Sequence, residues 1–206
     1  MLPNNNPNRA GLNTLTVAAA FGPSQSILRP KEMDSEGSLA KEISKDLLFG
    51  EIGPFDEKGG FERRNERGAI LIEQKDSKFF LDTDGSIAIT LPMEDRSHMS
   101  IIVEEDVQSL IARSLAFIKA VLARIDEVER LSDFAPVAYL SVSNHSSWKT
   151  RAEQASNPNQ AAVNLFGKMP SHVSLNPPAR SRGTLKTQIN DIAEDLTVLL
   201  RREFQR

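Results

Sequence analysis

The sequence predicts an α+β fold, a mainly antiparallel sheet covered on one face by two long helices and one short helix, and three observations carry that expectation. Two stretches repeat side chains at three- and four-residue intervals: Val107, Ile111, Ser114, Ile118, Val121 and Ile125 in the first, Leu185, Ile189, Ile192, Leu196 and Leu199 in the second. That spacing lines each set along one stripe of a helix turning once per 3.6 residues, a stripe made to be buried. Residues 69–91 instead alternate apolar and polar side chains between runs of turn-forming residues, as successive antiparallel strands do. The element order, roughly ββα, βββ, αβ, βα, lacks the one-for-one interleaving of strands and helices that builds a parallel sheet.

Each element follows from local chemistry. Residues 1–13 are rich in Asn and Pro and nearly devoid of apolar side chains, so they are expected to form a mobile tail ahead of a single α+β domain over 14–206. Residues 14–21 read as a buried strand closed by Gly22-Pro23; the apolar run 15–21 is at the minimum length for a signal-peptide core, and a strand fits it better. A short apolar piece, 26–29, ends at Pro30. Over 38–49 the spacing Leu39, Ile43, Leu47 is helical, with Ser38 and Gly50 as start and stop. Residues 51–68, glycine-rich and of mixed charge, are expected to be a long loop.

The meander comes next, as strands 69–73, 78–81 and 86–91. Gln74-Lys75-Asp76-Ser77 and Asp82-Thr83-Asp84-Gly85 connect them, and Ile87, Ile89 and Leu91 alternate with Ala88 and Thr90. A helix over 104–128 opens on Glu104, Glu105 and Asp106, which suit the positive end of its dipole, and carries Arg124 near the other end. Residues 134–142 read as a strand. Residues 144–166 are weakly patterned, with a helical turn or two in 148–155. A short strand over 172–175 precedes Pro177-Pro178, and a helix over 184–204 closes the chain with Arg201 and Arg202 in its last turn.

Composition excludes several chemistries. A chain of 206 residues with 39% hydrophobic and 26% charged side chains can build an ordinary core. A net charge of −3 leaves no global positive field to draw it to nucleic acid or anionic lipid. The absence of cysteine removes disulfides, thiolate zinc sites and cysteine nucleophiles together. No stretch approaches the roughly 20 apolar residues needed to span a bilayer, so a cytoplasmic protein is expected.

No candidate site rises above its structural explanation. His98, His145 and His172 are far apart and have no carboxylate at ligand spacing, so neither metal nor cofactor is expected. Asn144-His145-Ser146-Ser147 sets a base beside two hydroxyls, but a catalytic pair needs side chains converging from separate elements, and a polar turn explains the run. Gly59-Gly60 lacks the Lys and Ser/Thr of a phosphate loop. Glu104, Glu105 and Asp106 serve a helix start, and Asp82 and Asp84 serve a turn.

Two basic segments are the most informative polar stretches, Trp148-Lys149-Thr150-Arg151 and Arg180-Ser181-Arg182-Gly183-Thr184-Leu185-Lys186, the second running into a helix N-terminus. If Trp148, Lys149, Arg151, Arg180, Arg182 and Lys186 converge on one face, they make a local nucleic-acid-binding patch whose affinity falls steeply with salt. On that reading Arg180→Ala with Arg182→Ala should leave the fold intact.

Gly22-Pro23-Ser24-Gln25-Ser26-Ile27-Leu28-Arg29-Pro30, Trp148-Lys149-Thr150-Arg151-Ala152-Glu153 and the closing Ile192-Ala193-Glu194-Asp195-Leu196-Thr197-Val198-Leu199-Leu200-Arg201-Arg202 together resemble the region that follows the Alba-type DNA-binding domain in bacterial Schlafen-like proteins, over most of residues 14–206. The acidic and nucleotide-contacting motifs of the Schlafen-like domain have no counterpart here. The resemblance therefore implies an accessory domain whose catalytic or DNA-reading half sits elsewhere, and it transfers no functional residue.

The expected function is thus a non-catalytic regulatory or interaction domain, accessory to a nucleic-acid-binding protein. Its partner would be another protein or a second copy meeting it through strand edges or unmatched helix stripe. The alternatives are direct nucleic-acid binding through the six-residue patch, and an enzyme in which at least two of Asp82, Asp84, Glu104 and Asp106 meet in a cleft.

Overall fold

The computed structural model of the protein describes residues 13–93, 101–142, 146–157 and 172–205. Its fold is α+β with a mainly antiparallel sheet. Of the tail anticipated at 1–13, residues 1–12 lie outside the described residues, as do His98, Asn144 and His145; Asn13 is described, buried and accepting from the N–H of Met93.

The first strand, β1 (Thr14–Gly22), has Leu15, Val17, Ala19 and Phe21 buried and the residues between them part-exposed. Helix α1 (Ser38–Phe49) follows, burying Ala40, Ile43, Leu47 and Leu48. Where a loop was expected, a strand runs: β2 (Glu62–Glu66), Glu-Arg-Arg-Asn-Glu, pairs antiparallel with β3 (Ala69–Gln74). The link is a two-residue turn with Arg67 and Gly68 both at positive φ, 56° and 89°, the backbone that matches strand twist in a tight hairpin. The next hairpin, to β4 (Ser77–Leu81), places only Lys75 of its two turn residues at positive φ, 52°. Gly85, at φ 84°, shapes the turn into β5 (Ile87–Pro92), and a Cβ there would come within 3.0 Å of Ile27 and Leu131. Glycine is therefore required on two counts.

A short strand, β6 (Ile101–Val103), leads into α2 (Glu104–Ile125), whose buried stripe runs from Val107 through Ile111, Leu115, Ile118 and Leu122 to Ile125. β7 (Asp133–Ser141) is antiparallel to β1 over nine residues. The weakly patterned region resolves into β8 (Ser147–Lys149), parallel to β6, and α3 (Arg151–Ser156), opened by a capping box between Thr150 and Glu153. β9 (Val173–Ser174) and β10 (Arg180–Ser181) are two-residue strands along the outer side of β7. The closing helix is divided at Gln188 into α4 (Thr184–Thr187) and α5 (Ile189–Phe204).

The large sheet is ordered β10-β7-β1-β5-β4-β3-β2, with β9 also on β7. Helix α2 packs on β1 and β5, and α5 on β7 and β9. Arg201 of α5 reaches Glu104 at the start of α2, whereas Arg182, just ahead of α4, reaches Asp126 at its end, so α5 runs antiparallel to α2. One set of alternate strand residues joins these helices in a continuous core; there Phe79 meets Phe117 of α2 edge-to-face at 6.0 Å, and Phe21 stacks on Phe134 at 6.4 Å. Each such buried side chain stabilises the fold by about 1.5–3 kcal/mol relative to exposure.

Candidate functional site

The six residues of the anticipated basic patch do not converge. Trp148, Lys149 and Arg151 sit at the start of α2: the Trp148 indole Nε1 donates to Glu104 at 2.8 Å, the Arg151 guanidinium reaches Asp106 at 2.7 Å, and the Arg151 N–H donates to Glu105. Arg180, Arg182 and Lys186 sit at the other end, where Arg182 binds Asp126 and Lys186 reaches Glu129 at 2.6 Å. A helix of 22 residues separates the two groups, about 32 Å at 1.5 Å per residue.

Four of the five cations are also committed locally, whereas the Arg180 Nε is buried with no hydrogen-bond partner among the described residues. The Lys149 Nζ, largely buried, donates to the carbonyl of Asn157 at the end of α3. Trp148 packs on Phe204 with ring centroids 5.7 Å apart. The Lys186 contact holds the Glu129 carboxyl below its ordinary pKa. The hydrogen bonds of the capping box do the same for Glu153.

Arg182 is the clearest departure from the surface role anticipated for it. Its guanidinium is buried, donating to the Asp126 carboxylate at 2.5 Å, to the Asp126 carbonyl at 3.1 Å and to the Leu131 carbonyl at 3.2 Å. Asp126 is itself fully buried and also accepts from the backbone N–H groups of Arg130 and Leu131 and from the Arg130 Nε. Burial alone would raise its pKa, but the Leu131 and Arg130 backbone donors and the two guanidiniums outweigh it and hold the carboxyl below its ordinary value. The pair ties the end of α2, the loop into β7 and the approach to α4 together. Arg180→Ala with Arg182→Ala is thus not neutral to the fold, because it takes one of two guanidiniums from a buried carboxylate.

Asp126 went unremarked in the sequence, although a signal existed. An acid just beyond a helix C-terminus opposes the dipole there and calls for cations, which Arg130 and Arg182 supply.

The four carboxylates of the enzyme alternative fall into the same two groups. Asp82 accepts from the N–H of Thr83 at 2.6 Å, and Asp84 from the N–H of Ser86 at 2.8 Å, both fixing the β4–β5 turn. That turn lies against Ile27 and Leu131, beyond the end of α2, while Glu104 and Asp106 are at its start. Glu104 also accepts from Arg201 at 2.8 Å. Among the described residues no three His, Asp or Glu side chains group as metal ligands, and no helix is long and apolar enough to cross a membrane.

The feature that stands apart is the second face of the large sheet. Strand registers place Val137, Ala18, Ala88, Phe80 and Leu71 in one row across β7, β1, β5, β4 and β3. The next row is Tyr139, Thr16, Thr90, Lys78 and Glu73, continued by Glu62 on β2. Every residue in both rows keeps part of its surface exposed, whereas their strand neighbours Leu15, Val17, Ile70, Ile72, Phe79, Ile87, Ile89, Ala138 and Leu140 are buried. The Thr16 and Thr90 hydroxyls bond one another at 2.9 Å, so the middle of the face directs little polar demand outward. Most of its charges gather toward β2, where Glu73 pairs with both Arg64 and Lys78, and Asp133 lies on β7 toward the other side.

No family model, curated protein or solved structure matches the chain.

Proposed function

We propose that the chain is a non-catalytic interaction domain that docks a macromolecular partner on the outer face of its large sheet. One observation carries this reading: an apolar row, Val137, Ala18, Ala88, Phe80 and Leu71, crosses five strands on the part-exposed face. The solvent face of an antiparallel sheet is ordinarily polar, which gives the usual in-and-out alternation. Here the outer face carries a part-exposed apolar row as well, and apolar surface left in contact with solvent across several strands points to an interaction site. The resemblance to the region beside the Alba-type domain of Schlafen-like proteins is consistent with an accessory role next to nucleic acid.

The acids support the same reading, since Asp82 and Asp84 fix a turn while Glu104 and Asp106 bind Trp148, Arg201 and Arg151. A photo-cross-linking residue placed at Tyr139, 39% exposed on the outer face, tests it in living cells. A covalent adduct with a macromolecule is expected there and none from the same probe at Val128, an exposed residue beyond α2. Equal labelling from both positions, or none from Tyr139, would refute the proposal.

A further inference from the structure

Resting on that reading of the outer face, we infer that its occupant is a second copy of this chain, the two outer faces stacked sheet on sheet about a two-fold axis. Size is the first argument. The nine-residue strands β7 and β1 and the five- or six-residue strands β5, β4 and β3 carry the face. At about 4.8 Å between strands and 3.3 Å per residue they present roughly 550 Å² per copy, so a pair buries about the 1,000 Å² that a specific interface needs.

Shape is the second. Ala18, Ala20, Ala88, Ala135, Thr16 and Thr90 are small, and among the apolar residues of the face Phe80, Leu71 and Tyr139 project farthest from the sheet. Two such faces can approach to the ~10 Å of packed sheets, with the larger side chains of one set between the small residues of the other. A lone flat face of this kind has no complementary shape nearer to hand than its own.

Charge is the third. A two-fold interface sets a surface against itself, so any net charge on it is repelled by its copy. By strand parity the face carries four acids, Glu62, Glu66, Glu73 and Asp133, against two bases, Arg64 and Lys78, both already paired with Glu73. The middle strands β1 and β5 carry no charge, so a two-fold axis through them sets no charge against its copy, and the excess of acids does not favour a polyanion. The β2 edge is the poorer route to self-association: its strand is charged, and the antiparallel register centred on Arg64 sets Arg64 against Arg64 and Glu62 against Glu66.

Sedimentation equilibrium of the whole chain, from about 1 to 100 µM, is the test, with an expected Kd in the micromolar range for so small an interface. The double variant Leu71→Thr with Phe80→Thr keeps strand-forming side chains but removes the two largest apolar groups of the row. It should weaken dimerisation at least tenfold while circular dichroism stays unchanged. If that variant does not fold, Ala20→Lys with Tyr139→Lys, both at exposed positions, should give the same loss by placing like charges against their copies. A monomer throughout the range overturns the second-copy inference. An adduct of the Tyr139 probe with a different protein or with nucleic acid would then still support a docking face. A dimer that survives both variants overturns the inference as well, because its interface lies elsewhere.

Discussion

Alternate residues of the same strands occupy two unlike environments. Toward the helices, Leu15, Val17, Phe79, Ile87 and Ile89 are large and buried; toward the other side, Thr16, Ala18, Ala88, Thr90 and Phe80 retain exposure. The inner face is the usual solution to burying a sheet, with branched and aromatic side chains filling the space beneath α2 and α5. The outer face is not a solvated surface in the usual sense, since its middle strands β1 and β5 carry no charge and present small Ala and Thr side chains. Surface area alone does not set the two apart. The inner side chains are shaped to fit particular neighbours, such as Phe79 against Phe117, whereas the outer ones form a level surface suited to a sliding or stacking contact.

The sharpest way to break this contrast is to damage each face in turn and compare the losses. Phe79→Ala should cost about 3–5 kcal/mol in urea unfolding, because the cavity opens between β4 and α2. Arg182→Met should cost on the order of 3 kcal/mol by removing one of the two guanidiniums paired with the buried Asp126, although no apolar contact is lost.

Acid gives that second effect a sign. The folded pKa of Asp126 is lowered, so the stability it confers is present above the ordinary carboxylate range and is lost as pH falls through the depressed value. Arg182→Met should therefore unfold at a higher pH than the natural chain in an acid titration followed by circular dichroism. Gly85→Ala should cost about 1–3 kcal/mol, for it forces a side chain into positive φ against Ile27 and Leu131. On the outer face, Thr16→Val breaks only the Thr16–Thr90 hydrogen bond and should change thermal stability by no more than about 1 kcal/mol. An outer-face loss as large as that of Phe79→Ala would erase the distinction between the faces.

Much of the fold was legible because the apolar period survives in short windows. β1, α1, the meander and α2 all declare themselves by alternation or by three- and four-residue spacing. β2 hid because Glu62, Arg63, Arg64, Asn65 and Glu66 offer no apolar alternation; its backbone ladder to β3 and the Arg67-Gly68 turn hold it instead. The break at Gln188 hid for the opposite reason, since Leu185, Ile189 and Ile192 keep a helical spacing across it. β6 and β8, three residues each, are too short to show a period.

The surface was less legible than the core. The alternation Thr14, Thr16, Ala18, Ala20 is visible in the sequence, but not that β1 lies between β5 and β7. Only that long-range pairing assembles Ala18, Ala88, Phe80 and Leu71 into a row. The six basic-patch residues misled because neighbours in composition lie at opposite ends of a helix whose length the sequence did display. What remained hidden was which end each segment meets.

Because the chain has no cysteine, a single introduced thiol reports position without background. Ala88→Cys at the centre of the outer face, treated with a short bis-maleimide, should give a covalent dimer at micromolar protein, and Val128→Cys should give none. Dimer from Val128→Cys with monomer from Ala88→Cys would contradict the role assigned to the outer face.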